Sequence, residues 1–269
     1  MFKTRLISGV ILVAAAIVIM HFGGMLLLAV CAVISLIGLF EFYRAFGIHS
    51  SAPAVIGYIG AAAWYLNLAF TFAPELLILL AVLIAMLCAM VFRYPDYHPR
   101  QIFASFFGVI YVAVMLSFVW MTRDLDGGRF LVWLVFLCSW GCDTSAYCFG
   151  KLFGRHKMSP KLSPKKSVEG AVGGVIGAFV LTVIYGFIFR HPLGADVTAQ
   201  QILLIALISA AGGLISMVGD LSASAIKRNY DIKDYGQLIP GHGGILDRFD
   251  SVIFTAPVIF YLLTMVPKL

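Results

Sequence analysis

Apolar runs about as long as a lipid bilayer is thick recur along the whole chain, and they constrain its fold more than any other feature. These runs lie at residues 6–22, 25–43, 54–73, 76–92, 103–121, 130–150, 170–189, 201–226 and 249–266. Each is continuous rather than alternating, which favours membrane-spanning helices over the strands of a barrel. With 61% hydrophobic residues and a mean hydropathy of +0.98, the chain is too apolar for a soluble globular protein. We therefore predict an all-α polytopic membrane protein with about nine transmembrane helices.

The basic residues indicate how these helices are oriented. If the N-terminus is cytoplasmic and nine spans follow, all but four of the 19 lysines and arginines fall on the cytoplasmic side. The four exceptions are Arg123, Arg129, Arg190 and Lys268. This asymmetry predicts a cytoplasmic N-terminus. It also accounts for most of the net charge of +6, so we expect no nucleic-acid partner.

Polar residues within the apolar runs are concentrated in the second half of the chain. The first five runs, within residues 1–122, contain few of them, and we expect N-terminal transmembrane helices that face lipid. We expect the chemistry in a C-terminal catalytic region, residues 123–269. The predicted topology places two basic loops of this region, 151–169 and 227–248, on the cytoplasmic side.

One acidic residue, Asp143, lies inside the sixth apolar run, in the segment CSWGCDTSAYCFG. A lone carboxylate in a membrane span costs about 2.5–3.5 kcal/mol on insertion scales, so such residues usually have a function. Ser139, Asp143 and Tyr147 are spaced i, i+4, i+8, which places them on one face of a regular α-helix. The alternative is a packing hydrogen bond near the interface, and we favour a function.

The loop before the seventh run contains the sequence SPKKSVEG. Its serine before the valine is suited to cap the following helix, and the N–H groups of a helix N-terminus beside two lysines suit phosphate oxygens. We expect this loop to bind substrate through Lys165, Lys166, Ser167 and Glu169. The alternative is an ordinary basic loop that contacts anionic lipid headgroups.

The most polar stretch of the chain lies between the eighth and ninth runs. One helix face there carries a carboxylate, a hydroxyl group and two cations at positions i, i+4, i+7 and i+8. They belong to Asp220, Ser224, Lys227 and Arg228. The turn PGHGG follows, and its three glycines let the backbone approach a ligand closely. The ninth run begins with DRFD, so Asp220 and Asp247 both lie near the cytoplasmic interface, where they could meet.

This set of side chains suits phosphoryl or nucleotidyl transfer. Mg²⁺ usually takes one or two carboxylates together with phosphates and water, and basic side chains neutralise a triphosphate. Such reactions need positioning and charge neutralisation more than a covalent group. A site at the interface also suits a lipid whose phosphate lies at headgroup level.

His242 lies within the glycine turn, and we include it among the catalytic residues. A phosphate contact or a structural role is favoured over that of general base. The reason is that a phosphate nucleophile is already ionised and needs no base.

The sequence SAIKRNYDIKDYGQLIPGHGGILDRFD, residues 224–250, is similar to the signature of the phosphatidate cytidylyltransferases, or CDP-diacylglycerol synthases. SPKKSVEG and CDTSAYCFG resemble segments of this family in the same order. The resemblance implies the transfer of CMP from CTP to phosphatidate, which gives CDP-diacylglycerol and pyrophosphate in phospholipid biosynthesis. It also implies a homodimer in the inner (plasma) membrane with its active site facing the cytoplasm, and the first helices would then line the lipid entry or the dimer contact.

The resemblance further implies a dependence on Mg²⁺, with a second cation such as K⁺. Carried onto this sequence, Asp220 and Asp247 would be metal ligands, and Asp143 would be a further ligand or support. The phosphates would be neutralised by Lys165, Lys166, Lys227, Arg228 and Arg248. The other expected substrate-binding residues of the signature are Ser224, Lys233, Asp234, Gly243 and Gly244.

Two other functions share part of this pattern. In an ion- or proton-coupled transporter, Asp143 and Asp220 would be relay groups, but polar residues would then be expected at mid-membrane in both halves. A lipid kinase with a nucleotide donor would share the basic loops and release a nucleoside diphosphate instead of pyrophosphate.

Overall fold

The computed structural model describes residues 2–195, 197–239 and 243–265, with side chains from residue 9 onward. Within these ranges the chain forms nine continuous helices. They are α1 (Phe2–Phe22), α2 (Gly24–Ala45), α3 (Ala52–Phe70), α4 (Glu75–Phe92), α5 (Pro99–Asp124), α6 (Gly128–Phe153), α7 (Val168–Phe189), α8 (Ala199–Asn229) and α9 (Leu246–Thr264). Each helix coincides, to within a few residues at its ends, with one of the predicted apolar runs.

Seven of the described helices, α2 to α8, are long and apolar enough to cross a bilayer. Helices suit this environment because every backbone N–H and C=O group in the hydrocarbon core needs a partner within the segment. The apolar part described in α1, Gly9–Phe22, is shorter. The chain is thus an all-α, multi-pass membrane protein. Nine crossings and a cytoplasmic N-terminus stay predictions.

Helices α5 and α6 each contain a π-helical stretch, Val109–Val114 and Leu137–Gly141. Such stretches widen the helical turn and are frequent at functional sites. Ser139 lies in the second stretch, is fully buried and donates to the carbonyl oxygen of Val135 over 2.7 Å, whereas Tyr147 is 67% exposed. These two side chains do not share an environment, because the π-helical stretch breaks the spacing from which we predicted a common face.

The basic loop 151–169 contains a β-hairpin that the sequence analysis did not predict. Strands β1 (Lys157–Ser159) and β2 (Ser163–Ser167) pair antiparallel. The backbone N–H of Val168, where α7 begins, donates to the carbonyl oxygen of His156 over 2.9 Å. The hairpin therefore leads directly into α7. It holds Lys165 and Lys166 on a paired strand instead of in an irregular loop.

The chain folds into two compact units. The first comprises Met1–Ser117 and Tyr230–Arg248. Several of its buried polar groups are hydrogen-bonded to each other or to the backbone, which suits an apolar surrounding. The hydroxyl of Tyr43 donates to the carbonyl oxygen of Ser105 over 2.6 Å, and the indole N–H of Trp64 donates to the hydroxyl of Ser117 over 3.0 Å. These bonds tie α2 and α3 to α5.

The second unit comprises Phe118–Asn229 and Phe249–Leu269. Glycines on α7 allow close packing against α6, since a Cβ atom at Gly173 would overlap Phe149 and one at Gly177 would overlap Ser145. Helix α7 is also hydrogen-bonded to α8 through Thr182, whose hydroxyl lies 2.8 Å from that of Ser209. The predicted functional division between residues 1–122 and 123–269 stays a prediction.

Candidate active site

Asp220 and Lys166 form an ion pair in the second unit. Asp220 lies on α8 and Lys166 on β2, and the Nζ atom of Lys166 contacts Oδ2 of Asp220. This Nζ atom is buried and makes no well-aligned hydrogen bond within the described part of the chain, so the carboxylate charge compensates it. The hydroxyl of Ser224 donates to Oδ1 of Asp220 over 3.5 Å. The structure thus brings together two segments that the sequence analysis singled out separately.

Two further carboxylates, Asp143 on α6 and Asp250 on α9, belong to the same unit. The hydroxyl of Ser251 donates to Oδ2 of Asp143 over 3.3 Å, which links α6 to α9. Asp250 is 9% exposed, and its Oδ1 accepts the N–H of Ser251 over 2.8 Å. Its charge repels those of Asp143 and Asp220 and is attracted by Lys227. We call these three carboxylates, Asp143, Asp220 and Asp250, the acidic cluster.

Asp250 was not among the predicted site residues. The signal that could have identified it was the sequence DRFD at the start of the ninth apolar run, which contains a second carboxylate. An acidic residue at membrane depth usually needs a compensating partner or a function. Asp143 and Asp220, by contrast, were predicted, and the structure places both in the acidic cluster.

Ser167 and Glu169, predicted to bind substrate, shape the end of the hairpin. The Ser167 hydroxyl caps α7 by accepting the N–H of Gly170 over 3.1 Å, so this N–H group is already paired. The Glu169 carboxylate accepts the N–H of Arg155 over 3.0 Å and lies 2.6 Å from Nδ1 of His156. Of the predicted phosphate-binding groups of this loop, Lys165 is exposed, and Lys166 is held by Asp220.

The C-terminal end of α8 carries Lys227 and Arg228 in its last turn. Cations are stabilised there by the partial negative charge of the helix C-terminus. Lys227 is half-buried and interacts with Asp250, whereas Arg228 is exposed. The two side chains therefore offer positive charge in different environments.

Asp247 belongs to the first unit and holds the loop that precedes α9. Its Oδ2 accepts the N–H of Tyr235 over 2.8 Å and the N–H of Gly244 over 3.1 Å, and the residue is 7% exposed. Gly243 has a φ of +83°, a conformation that favours glycine, and its carbonyl oxygen accepts the N–H of Ile239 over 2.9 Å. A convergence of Asp247 with Asp220 stays a prediction.

The remaining predicted residues of this stretch are mostly at the surface. Lys233, Asp234 and Arg248 are exposed. Gly244 is buried, and its N–H is taken by Asp247. His242 lies outside the described residues.

Sequence reasoning missed a residue of the first unit, Glu41 on α2. Glu41 is 3% exposed, and its carboxylate accepts the N–H of Ile245 over 3.1 Å and that of Leu246 over 2.9 Å. The signal was present in the sequence FEFYRAF, because an ionisable residue within an apolar span is by default a candidate for function. The expectation that all site chemistry belongs to residues 123–269 had directed attention away from it.

We expect Gly236→Ala to destabilise the loop before α9, because a Cβ atom at this position would overlap the Glu41 carboxylate. Overpacking of this kind typically costs about 1–3 kcal/mol. Thermal unfolding in detergent and limited proteolysis of the loop would measure the effect. Gly9→Ala is the control, since nothing lies within 4 Å of a Cβ atom there. Equal unfolding temperatures and cleavage rates for the two variants would contradict the expectation.

The donor set of the acidic cluster fits a hard divalent cation, which prefers carboxylate oxygens. Among the described residues, no group of three or more His, Cys, Asp or Glu side chains is arranged to hold a metal ion unaided. Mg²⁺ does not require such a group, because it commonly binds through one or two carboxylates, water and substrate phosphates. The residues present are therefore compatible with a Mg²⁺ ion that is held jointly with a nucleotide.

Comparison with known proteins decides the family. The chain matches the sequence model described as "Cytidylyltransferase family" over residues 3–266. The chain belongs to the cytidylyltransferase family. Because the match covers nearly all of the chain, both units and all predicted site residues fall within the family region.

Several relatives of this cytidylyltransferase-family protein are named phosphatidate cytidylyltransferase. The Synechocystis sp. protein is 32% identical over 293 residues, which cover 97% of this chain and 96% of that protein. The Bacillus subtilis protein is 34% identical over 157 residues (58% of this chain, 56% of that protein). The Rickettsia felis protein is 35% identical over 155 residues (58% and 68%). The matched stretch thus spans little more than half of the Bacillus subtilis protein, and these relatives give no support to the transporter alternative.

Proposed function

We propose that the protein is a phosphatidate cytidylyltransferase, which transfers CMP from CTP to phosphatidate and releases CDP-diacylglycerol and pyrophosphate. The observation that carries the proposal is the Lys166–Asp220 ion pair beside Asp143 and Asp250. A lysine of the hairpin that meets carboxylates of apolar helices in a cytidylyltransferase-family chain supports a site for phosphates and a cation. The names of the relatives support phosphatidate and CTP as the two substrates.

In this reaction an oxygen of the phosphatidate phosphate attacks the α-phosphorus of CTP. A new P–O bond forms, the bond from the α-phosphorus to the α,β-bridging oxygen breaks, and pyrophosphate leaves with the bonding electron pair. Basic side chains that neutralise the departing pyrophosphate are expected to contribute most to the rate. We assign this role to Lys165, Lys166, Lys227, Arg228 and Arg248.

We further propose that Asp220 and Asp247 hold Mg²⁺, with Asp143 as a further ligand or support and K⁺ as the second cation. A bound Mg²⁺ would neutralise triphosphate charge and polarise the α-phosphoryl group. Lys166 orients the Asp220 carboxylate through their ion pair, and Ser224 donates to its other oxygen. The hydroxyl of Ser251 orients the Asp143 carboxylate in the same way.

The other residues of the signature are assigned to substrate binding. Ser167 and Glu169 support the hairpin that presents Lys165, and Lys233 and Asp234 are exposed on the loop before α9. Gly243 is assigned a close approach of the loop backbone to a phosphate, and Gly244, whose N–H is taken by Asp247, is assigned a role in shaping that backbone. His242 is assigned a phosphate contact or a structural role in the turn.

We propose that the protein is a homodimer in the cell's inner membrane, with its site facing the cytoplasm. The distribution of lysines and arginines supports this orientation. If the chain crosses the membrane nine times, all but four of them lie on the same side as the N-terminus. In that orientation phosphatidate reaches the site from the inner leaflet while its acyl chains stay among the apolar helices.

The proposed activity is tested with purified protein in mixed micelles that contain phosphatidate, CTP and Mg²⁺. The expected result is stoichiometric release of pyrophosphate and CDP-diacylglycerol. Release of a nucleoside diphosphate would instead indicate a lipid kinase. Absence of any lipid product, together with ion flux in liposomes that contain the protein, would contradict the proposal.

A further inference from the structure

Glu41 stands out among the charged groups that the proposed reaction does not use. It lies within the apolar helix α2, where an ionised side chain costs about 2.5–3.5 kcal/mol on insertion scales. The residue is nevertheless buried and makes two hydrogen bonds to the chain around residue 246. A charge retained at this cost generally serves a purpose beyond packing.

Both carboxylate oxygens of Glu41 are engaged at the start of α9. Oε1 accepts the N–H of Ile245 and Oε2 accepts the N–H of Leu246, the residue at which α9 begins. The first N–H groups of a helix have no partner within the helix and carry partial positive charge. Glu41 therefore pairs two N–H groups that would otherwise be unpartnered and holds the end of the loop at Ile245 and Leu246.

Helix α2 also holds the same loop at a second place, Tyr235. Nη2 of Arg44, one turn beyond Glu41, donates to the carbonyl oxygen of Tyr235 over 2.7 Å. Between these two anchors, Oδ2 of Asp247 accepts the N–H of Tyr235 and that of Gly244. The carboxylate of Asp247 is thus hydrogen-bonded to a loop that α2 holds at two places, at Tyr235 and at Ile245.

Glycines next to Glu41 leave room for its carboxylate. A Cβ atom at Gly236 or at Gly244 would overlap the Glu41 side chain. Because Gly236 and Gly244 have no side chains, the loop backbone lies directly against the Glu41 carboxylate. A shorter or displaced side chain at position 41 would therefore leave the loop unsupported.

We propose that Glu41 is a positioning residue that acts through the loop before α9 to hold the Asp247 carboxylate in the geometry needed for metal binding. The proposal rests on the proposed role of Asp247. Groups that orient metal ligands typically change metal affinity or activity by about 10–100-fold when they are replaced. Glu41 would therefore affect the metal dependence of the protein without contacting the metal or the substrates.

The test uses Glu41→Gln in the full-length protein in detergent. Glutamine has nearly the same size as glutamate. Its NH₂ group, however, would face one of the two N–H donors, of Ile245 or Leu246, that the carboxylate oxygens of Glu41 accept. We expect Mn²⁺ binding, measured by electron paramagnetic resonance with a non-hydrolysable CTP analogue and without lipid, to weaken about 10-fold or more. The Mg²⁺ concentration for half-maximal rate should rise by a similar factor, while the KM for phosphatidate stays unchanged.

Two further variants separate positioning from general stability. Glu75→Gln is the matched control, because Glu75 is exposed at the start of α4, and it should leave Mn²⁺ binding unchanged. Glu41→Asp retains the charge with a shorter side chain and should recover part of the affinity, and it provides the measurement if Glu41→Gln fails to fold. A lower unfolding temperature with unchanged Mn²⁺ affinity in the Glu41 variants would overturn the proposal.

The metal measurement also separates this proposal from the proposed function. If the wild-type protein binds Mn²⁺ and Glu41→Gln weakens that binding, the positioning role stands even where no CDP-diacylglycerol is formed. If the wild-type protein forms CDP-diacylglycerol and Glu41→Gln leaves the metal dependence unchanged, only the positioning role is overturned. A wild-type protein that binds no Mn²⁺ would overturn the positioning role directly.

Discussion

Replacing Asp247 by Asn is expected to remove most of the CTP- and Mg²⁺-dependent product while the protein stays folded in the membrane. The amide oxygen of Asn can occupy the place of Oδ2 and accept the same N–H groups, from Tyr235 and Gly244. The loop is therefore retained and only the negative charge is lost. Removal of one preorganised electrostatic group typically lowers kcat by about 10²–10³-fold. Pyrophosphate release measures the rate, and thermal unfolding in detergent measures the fold.

Asp231→Asn is the matched control for this variant. Asp231 lies in the same loop, is exposed and has a φ of +52°, a conformation that Asn tolerates well. The chemical change is identical, but we expect activity and unfolding temperature close to those of the wild-type protein. Normal turnover of Asp247→Asn would remove Asp247 from the site, and equal losses in both variants would assign the effect to the charge of the loop in general.

The second large effect is expected for Asp220→Asn, which leaves the buried ammonium group of Lys166 without its counter-charge. Breaking a fully buried ion pair costs about 3–5 kcal/mol, and since about a quarter of each side chain is exposed here, we expect about 1–3 kcal/mol. Activity should fall by about 10²-fold or more, because the variant disturbs both the proposed metal-binding group, Asp220, and the proposed phosphate-binding group, Lys166.

The double variant Asp220→Asn/Lys166→Met separates stability from catalysis. Removing the uncompensated charge should restore the unfolding temperature toward that of the wild-type protein, because a buried ion pair can be replaced by apolar groups at little cost. Activity should remain low, since neither the carboxylate nor the ammonium group is regained. A double variant as active as the wild-type protein would show that the pair has a structural role only.

The sequence predicted the helices because lipid restricts the backbone to few solutions. In the hydrocarbon core each N–H and C=O group must be paired, so a continuous apolar run of about 20 residues forms a helix almost regardless of its neighbours. All nine predicted runs accordingly coincide with described helices. The two π-helical stretches were not predictable in this way, because they depend on how the side chains of α5 and α6 pack.

Candidate site residues stood out in the sequence mainly where they lie in polar segments, with Asp143 in an apolar run as the exception, and their roles stay predictions. Asp220 and Lys166 stood out in their segments, and the structure joins them as an ion pair. Asp250 and Glu41 are isolated carboxylates beside apolar residues, and the sequence alone gave no partner for either. The hairpin at Lys157–Ser167 was missed because its strands are short, and because Pro164 in β2 and Pro160 in the turn are typical of a loop.

By itself, the sequence predicted which segments form the long apolar helices and which polar segments are candidates for the chemistry, because both depend on local composition. Only the tertiary structure decided which charges meet. Glu41 is hydrogen-bonded to a residue 205 positions further along the chain, and Lys166 on strand β2 is paired with a carboxylate on helix α8. Such pairs form because a buried charge needs a counter-charge or a donor wherever the fold brings one close, and separation in sequence does not encode that distance.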